Sequence, residues 1–374
     1  MKGKLPLEGI RILDASRVLA GPFCTMLLSD LGAEVTKVED PEKGDETRNY
    51  QPMIGDESSY FLSINRNKDV VFLNLKDEAD RKTLYSLAKK SDVFIHNFLP
   101  GVEEKLGVGY DAISSKNGRI VYVTISGYGR TGRRSNLPGY DILMQGESGL
   151  MSVTGLDEEN LARIGNSTVD IYAGYLCATA ILAYLYSRSL RKQKSVKLDI
   201  PLIGSVLYSM PFLFGYFAAT GKDPKPLGTA HPGIVPYQPF KTKDGTIMIA
   251  VANNNHWQKF CNTIGRVDLL EDKRFSTNEL RVRNREQLIP ILKNVIVQKS
   301  TGQWLKLFRK TSVPAAPINR VSDVMKDGEL ARFIDKKSVR GKKMLFPKLP
   351  VTVNEEMIYS YRRDPPEFRK LDRS

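Results

Sequence analysis

Asp170 is the residue whose type and position point most directly to chemistry. It follows three polar residues, Asn166, Ser167 and Thr168, which are typical of the cap that precedes a helix, and it opens the uncharged stretch 171–186. Unpaired backbone N–H groups and the helix dipole favour a negative charge at such a position. An acidic first turn is also an ordinary feature of helix starts. The spacing alone therefore leaves both a catalytic carboxylate and a dipole-complementing residue open.

Cysteine and glycine patterns exclude several other kinds of site. Cys24, Cys177 and Cys261 are far apart and form no CxxC pair or Cys/His cluster, which argues against a disulfide scaffold or a structural zinc site. The N-terminal residues lack the apolar core of a signal peptide. No GxGxxG accompanies the first predicted strand, so NAD is a poor candidate ligand. We expect a cytoplasmic location.

The formal net charge is +14, and it is concentrated toward the C-terminus. Residues 301–374 contain 17 Lys and Arg against 9 Asp and Glu. Basic surfaces can bind nucleic acid or anionic metabolites. Because aromatic residues do not alternate with the basic ones and no nucleic-acid-binding module is recognisable, the pattern favours a solvated or anion-binding face. A basic nucleotide- or nucleic-acid-binding protein is the non-enzyme alternative.

Short apolar runs alternate with amphipathic stretches through the first part of the chain. This rhythm predicts an α/β fold with a parallel, doubly wound sheet and helices on both faces. The runs are 10–13, 34–39, 70–75, 92–97, 120–126 and 195–200. Ligands bind such sheets beyond the carboxyl ends of the strands, so we expect one rim to be formed by 16–21, 39–48, 97–101 and 127–140.

A chain of 374 residues is long for one domain, and residues 222–233 are rich in Pro, Gly and Lys. We therefore predict a large domain over 1–221, completed by 321–374, and a smaller α+β domain over 222–320.

Two uncharged stretches bear on whether the chain crosses a membrane. Residues 171–186 are too few for a bilayer span, whereas 201–220 would be long enough. The second stretch contains Pro and Gly residues, and we interpret it as helices buried in a core or in a subunit interface. No membrane association is expected.

Eight segments occur in order along nearly the whole chain. They are LEGIRILDASRVLAGPFCTMLLSDLGAEVTKVE at 7–39, GDETR at 44–48, NRNKDVVFLNLK at 65–76, DVFIHNFLPGVEEKLG at 92–107, SGYGRTG at 126–132, PGYDILMQGESGLMSVTG at 138–155, PYQPFKTKDG at 236–245 and VPAAPINRVSDV at 313–324. This set resembles the class III CoA-transferase family, which also includes acyl-CoA racemases and carnitine-related CoA-transferases.

The resemblance implies a Rossmann-like large domain, an interlocked homodimer, and transfer of coenzyme A from an acyl-CoA, with succinyl-CoA as a candidate donor, to a free carboxylic acid. Asp170 matches the family's nucleophilic aspartate, which would form an aspartyl anhydride and then an aspartyl-CoA thioester. The CoA thioester is a substrate, and neither a metal nor a tightly bound cofactor is implied. The CoA-binding positions carried over are Leu19, Leu73, Lys76, Asn97, Phe98, Lys105 and Tyr140.

Departures from the family pattern bear on specificity. Racemases of the family carry His where this chain has Tyr140, so racemisation is the disfavoured enzymatic alternative. Arg48 and Arg66 are candidates for binding a distal carboxylate of a dicarboxylic substrate, or are structural residues paired with loop carboxylates such as Asp45. His231 is either an acceptor contact or an ordinary loop histidine.

Overall fold

The computed structural model describes residues 5–191, 194–358 and 360–368. The ends of the predicted large domain, 1–4 and 369–374, lie outside the described residues, as do 192–193 and 359 within it. The chain divides into two compact units. The first lies within 1–150, 164–222 and 329–374, and the second comprises 151–163 and 223–328.

The strands of the described residues, β1 to β15 in chain order, are Arg11–Asp14, Glu34–Glu39, Met53–Ile54, Glu57–Ser58, Lys68–Phe72, Val93–His96, Val121–Ser126, Val196–Pro201, Tyr237–Lys241, Thr246–Ala250, Ala315–Pro317, Ile334–Val339, Lys342–Pro347, Thr352–Val353 and Glu356–Met357.

The α-helices of the same residues, α1 to α16, are Ala20–Asp30, Ser59–Ile64, Glu78–Lys89, Val102–Lys105, Tyr110–Ser114, Asp141–Glu147, Thr168–Leu190, Leu202–Tyr208, Pro211–Thr220, Asn254–Ile264, Asp268–Glu271, Asn278–Arg283, Arg285–Ile296, Thr301–Thr311, Val321–Val324 and Gly328–Ala331. Short 3-10 helices cover Glu46–Asn49 and Met151–Val153.

A six-stranded sheet forms the centre of the first unit, in the order β5-β2-β1-β6-β7-β8. All of its neighbouring strands are parallel, which confirms the predicted parallel α/β sheet. Successive strands run outward in one direction from β1 and in the other from β6. The order therefore reverses between β1 and β6, and loops that leave their carboxyl ends diverge to form a crevice.

Helix α7 packs one of its faces into the core of the first unit. Val169, Ala173, Cys177 and Ile181 are completely buried among residues of α1 and the sheet. A Cβ at Gly174 would lie 3.0 Å from the carbonyl oxygen of Ala20, so glycine lets α1 and α7 approach closely. By length and composition α7 could also cross a membrane, as could α8 and α9 together despite a 65° bend between them. Its buried face makes α7 the predicted core helix.

The stretch 201–220 is not uniformly buried, as a core location would require. Pro201 ends β8, and α8 buries Leu202 and Val206. In α9, by contrast, none of the residues is buried, and Phe212, Phe214 and Phe217 are each about half exposed. The core interpretation is therefore wrong for α9 in the described chain, because even Leu213, which packs against the core, is only partly buried. Its interpretation as a subunit interface stays a prediction.

The second unit contains the predicted hairpin and helices. Strands β9 and β10 pair antiparallel around Lys243-Asp244-Gly245, with Lys241 opposite Thr246, and β11 completes a small sheet. Residues 151–163, which the sequence prediction assigns to the large domain, belong to this unit. The backbone N–H of Gly228 donates to the carbonyl oxygen of Gly155 at 2.8 Å.

Candidate active site

The carboxyl ends of β1, β6 and β7 border a cavity of about 390 Å³, named here the Asp170 cavity. Five residues predicted from the sequence line it together, namely Leu19, Asn97, Phe98, Tyr140 and Asp170. The strand order brings Leu19, Asn97 and Phe98 together, because β1 and β6 are neighbours where that order reverses. Tyr140 and Asp170 follow β7, the next strand of the sheet. The cavity is therefore the ligand crevice expected for this type of sheet.

Asp170 is the third residue of α7 and is half-buried at the cavity wall. Burial, and to a lesser extent the nearby carboxylate of Asp141, together raise the pKa of its carboxyl group to about 7. The helix start favours the anion, but burial and the neighbouring charge outweigh it. A poorly solvated carboxylate that ionises near neutral pH is well suited to nucleophilic attack.

Asp141, in the first turn of α6, supplies a cap for α7. Its Oδ1 accepts a hydrogen bond from the backbone N–H of Val169 at 2.8 Å, and its Oδ2 accepts one from Nε2 of Gln145 at 2.7 Å. Gln145 in turn accepts from the N–H of Ile164 at 2.9 Å. One carboxylate therefore both holds the start of α7 and raises the pKa of Asp170.

The loop between β1 and α1 has a strained backbone that Asn97 holds in place. Val18 has a φ of 66°, in the left-handed region that a β-branched residue rarely adopts. The side-chain Oδ1 of Asn97 accepts from the N–H of Arg17 at 3.0 Å, and its Nδ2 donates to the carbonyl oxygen of Arg17 at 2.9 Å. The amide of Asn97, predicted to bind CoA, is thus engaged with the loop that carries Leu19.

Completely buried ion pairs lie beneath this loop. Lys37 Nζ lies 2.8 Å from Asp45 Oδ2 and donates to the carbonyl oxygen of Ser16 at 2.9 Å. Lys68 Nζ lies 3.5 Å from Asp14 Oδ2. Burial lowers the pKa of Lys68 to about 8, with Asp14 opposing the shift. Because buried charges require partners, this cluster fixes the loop to the sheet.

A second cavity of about 230 Å³ is lined by Leu73, Lys76 and Phe98, and is named here the Leu73 cavity. The ring of His96 stacks on Phe98 at 5.1 Å, and its Nδ1 accepts the N–H of Phe98 at 3.2 Å. Burial lowers the pKa of His96 to about 3, so that this histidine is neutral. Phe98 is thereby held at the wall of the cavity, and the guanidinium of Arg17 also lies over its ring. Lys105, at the end of α4, is exposed and outside the lining of either cavity.

Arg48 and Arg66 are both engaged in ion pairs away from Asp170. Arg48 binds both carboxylate oxygens of Glu39, at 2.7 and 2.8 Å, and borders a different cleft of about 980 Å³. Arg66 is buried and binds both oxygens of Asp30, at 3.0 and 2.6 Å. Neither residue is among those that line the Asp170 cavity. The geometry favours the structural alternative, with Glu39 rather than Asp45 as the partner of Arg48, and substrate binding by either residue stays a prediction.

The histidines do not provide the base that a racemase would need at Asp170. Among the described residues that line the Asp170 cavity there is no histidine. His231 lies in the second unit, where its Nδ1 accepts from the N–H of Gly233 at 3.0 Å. Its predicted contact with the acceptor acid stays a prediction.

Sequence reasoning did not single out Arg17, Asp141 or Tyr60. Arg17 lies within the predicted rim, and Asp141 directly follows its last residue, Tyr140, so position in or next to the rim was the available signal for both. Tyr60, in α2, hydrogen-bonds Ser167 and is close enough to Asp170 for that charge to raise its pKa. Burial is the larger cause and, together with that charge, raises the pKa of Tyr60 to about 12, so its hydroxyl is protonated. Nothing in the sequence around Tyr60 indicates this proximity.

Comparison with known proteins gives a consistent result. The family model described as CoA-transferase family III matches residues 7–369. The chain is 41% identical over 326 residues to the succinyl-CoA:glutarate CoA-transferase of Mus musculus, covering 87% of this chain and 74% of that protein. It is 35% identical over 323 residues to the acetyl-CoA:oxalate CoA-transferase of Acetobacter aceti, covering 86% and 83%. The crystal structure of a CAIB/BAIF family protein from Brucella suis superposes with a TM-score of 0.86 at 33% identity, covering 97% of this chain and 96% of that one.

Proposed function

The chain belongs to CoA-transferase family III and is therefore a CoA-transferase, and we propose that it transfers CoA between carboxylic acids by covalent catalysis at Asp170. One observation carries this proposal. The half-buried carboxylate of Asp170 lines the crevice where the strand order reverses, next to a second cavity suited to the nucleotide end of CoA.

The first half-reaction uses Asp170 as the nucleophile. Its carboxylate attacks the thioester carbonyl of the donor, the carbon–sulfur bond breaks, and CoA leaves as a thiolate while an aspartyl acyl anhydride forms. The thiolate then attacks the aspartyl carbonyl of the anhydride, which releases the donor acid and leaves an aspartyl-CoA thioester. No net proton is taken up or lost.

The second half-reaction is the same sequence in reverse. The acceptor carboxylate attacks the aspartyl thioester carbonyl and displaces the CoA thiolate, forming a new anhydride. The thiolate attacks the acceptor's acyl carbon, which gives the product acyl-CoA and restores the Asp170 carboxylate. The positive end of the α7 dipole can stabilise the oxyanions that form at the aspartyl carbonyl.

Small dicarboxylic acids are the proposed acids, with succinyl-CoA as the first donor to test. The support is that the similar proteins from Mus musculus and Acetobacter aceti are named for glutarate and oxalate as acceptors. A cavity of about 390 Å³ has room for a short acid beside the end of a pantetheine arm.

Trapping the covalent intermediate tests the mechanism. The protein is incubated with succinyl-, glutaryl- and acetyl-CoA in turn, treated with hydroxylamine or borohydride, and its peptides are analysed by mass spectrometry. We expect a hydroxamate or a reduced side chain at Asp170 with each competent donor, and none in Asp170→Ala, which should also lose turnover while retaining its fold.

Asp111→Asn is the matched control for this experiment. Asp111 is also an acidic residue in the first turn of a helix, α5, but it is exposed to solvent. The control should trap the adduct as wild type does. An adduct on another residue, or undiminished turnover by Asp170→Ala, would contradict the proposal.

We also propose that the chain forms a homodimer that covers the exposed phenylalanines of α9. The support is that Phe212, Phe214 and Phe217 leave a large apolar surface on one ten-residue helix. Light scattering on the purified chain should give the mass of two chains, and a monomeric mass at micromolar concentration would contradict this.

A further inference from the structure

Arg17 lies where the Asp170 cavity and the Leu73 cavity adjoin. Of the described residues that line these two cavities, Arg17 and Phe98 are common to both. Lys76 lines only the Leu73 cavity, and Asp170 lines only the other. A ligand that occupies both cavities must therefore pass Arg17 and Phe98.

The backbone of Arg17 is fixed while its side chain is exposed. Asn97 binds both its N–H and its carbonyl oxygen, at 3.0 and 2.9 Å. The guanidinium lies over the ring of Phe98, 5.9 Å from the ring centre. Among the described residues, Arg17 forms no ion pair with a carboxylate, in contrast to Arg48 and Arg66. It is therefore a positive charge placed at the junction with its hydrogen-bonding edge available.

The proposed function determines which part of the substrate reaches this junction. The thioester of an acyl-CoA must lie at Asp170, and its adenine fits the apolar walls of the Leu73 cavity beside Phe98. The diphosphate joins the pantetheine arm to the adenosine, so it lies between these two ends. A planar guanidinium forms paired hydrogen bonds with phosphate oxygens, which a lysine cannot reproduce.

We propose that Arg17 binds the diphosphate of CoA, an inference that rests on the proposed CoA transfer. Arg17 is then a substrate-binding residue that acts on the nucleotide half of the donor and makes no contact with the acid. The alternative role for Arg17 is binding of the acid's distal carboxylate, since Arg17 also lines the Asp170 cavity.

Two donors with the same acyl group separate these roles. One is succinyl-CoA, and the other is the succinyl thioester of pantetheine, which lacks the diphosphate and the nucleotide. For Arg17→Met we expect KM for succinyl-CoA to rise tenfold or more, with kcat/KM for the pantetheine thioester within twofold of wild type. Arg17→Lys should have an intermediate KM for succinyl-CoA, because lysine keeps the charge but not the planar fork.

Arg11→Met is the matched control. Arg11 is the first residue of β1, at the end of the strand opposite to the loop that carries Arg17. It forms an exposed ion pair with Glu34 at 3.2 Å. It should leave both donors unaffected. Calorimetric titration of each variant with CoA and with pantetheine gives the same comparison without turnover, and only the affinity for CoA should fall in Arg17→Met.

Three results would overturn the inference. Equal losses with both donors would indicate a role in the loop or in the acid site, and a rise in KM for the acceptor acid alone would assign Arg17 to that acid. Unchanged KM and affinity for CoA in Arg17→Met would exclude the contact while leaving CoA transfer by wild type intact. Failure of wild type to transfer CoA from any donor would instead refute the proposed function, and the titrations would still report on Arg17.

Discussion

The side-chain amide of Asn97 binds the backbone of Arg17 with both of its polar atoms, across the point where the strand order of the sheet reverses. Arg17 follows β1 and Asn97 follows β6, so this pair of hydrogen bonds joins the two loops that border the Asp170 cavity. The same two hydrogen bonds hold the residue directly before Val18, whose backbone is strained.

We predict that Asn97→Ala weakens acyl-CoA binding by loosening this loop. Loss of two hydrogen bonds should lower the free energy of unfolding by about 1–3 kcal/mol, and KM for the acyl-CoA should rise several-fold. Steady-state kinetics and chemical denaturation measure the two effects.

Asn117→Ala is the control for this variant. Asn117 also holds a loop in place, donating to the carbonyl oxygens of Ala88 and Ser91 at 3.1 and 2.7 Å. This loop lies at the amino-terminal ends of β6 and β7, away from the cavities. A similar loss of stability with unchanged KM is expected for it. If both variants changed KM equally, the joint between Asn97 and Arg17 would have no special role in binding.

The pH dependence of turnover should report the ionisation of Asp170. Attack requires the carboxylate, and burial with the charge of Asp141 raises its pKa to about 7. We therefore expect kcat/KM for the acyl-CoA to fall as pH decreases below about 7. Asp141→Asn removes a negative charge beside Asp170, so the acid limb should move to lower pH.

Glu147→Gln, in the same helix as Asp141, tests whether the shift is local. Glu147 pairs with the exposed Arg134 at 2.6 Å, and its substitution should leave the acid limb in place. An acid limb that stays unchanged in Asp141→Asn would show that Asp170 does not control it.

Ionisation of Asp170 should also lower the free energy of unfolding. The folded-state pKa of Asp170 is raised above its usual 3.8, so the favourable contribution of its proton is present at low pH and is lost as pH rises toward 7. Asp170→Asn should therefore stabilise the protein increasingly between pH 5 and pH 8, by at most about 3 kcal/mol.

Thermal unfolding at the two pH values measures this difference. Asp111→Asn, at an exposed helix start, should show no such growth with pH. A constant difference between wild type and Asp170→Asn across this range would contradict a raised pKa at Asp170.

Arg48→Met should affect stability more than substrate choice. Glu39 is buried and would lose the bidentate partner that neutralises it, which typically costs about 3–5 kcal/mol. The ratio of kcat/KM values for monocarboxylic and dicarboxylic acceptors should stay as in wild type. The double variant Glu39→Gln with Arg48→Met should recover part of the stability. A selective loss of dicarboxylic acceptors in Arg48→Met would instead support the alternative that Arg48 binds the distal carboxylate of the substrate.

Much of the rim could be predicted because the apolar runs identify the strands and a parallel sheet places their carboxyl ends on the same side. The apolar runs that became β1, β6 and β7 are strongly patterned, and parallel strands bring their carboxyl ends to one edge. Leu19, Asn97 and Phe98, which the family resemblance singled out, therefore fell in two segments that the strand pattern alone placed on one rim. The capping sequence before a long uncharged stretch drew attention to Asp170, but it left both a catalytic and a dipole-complementing role open, and the resemblance to the CoA-transferase family was needed to predict the catalytic one.

Features that depend on distant contacts could not be predicted in the same way. No local preference favours a left-handed Val18, which is held by Asn97 and by the buried charges of β2 and β5. Asp141 caps a helix that begins 27 residues later, and Arg48 pairs with Glu39 instead of the nearer Asp45. The apolar composition of α9 indicated burial, but composition does not distinguish a core from a surface that another molecule covers.

Tyr140 and Asp141 are consecutive residues, so a residue that lines the Asp170 cavity and the carboxylate that raises the pKa of Asp170 cannot move independently of each other. An insertion or deletion here that reshapes the pocket would also displace the carboxylate that holds the start of α7. Variation in which acids this scaffold accepts should therefore arise by exchange of single side chains at this wall, with the length of the segment kept constant.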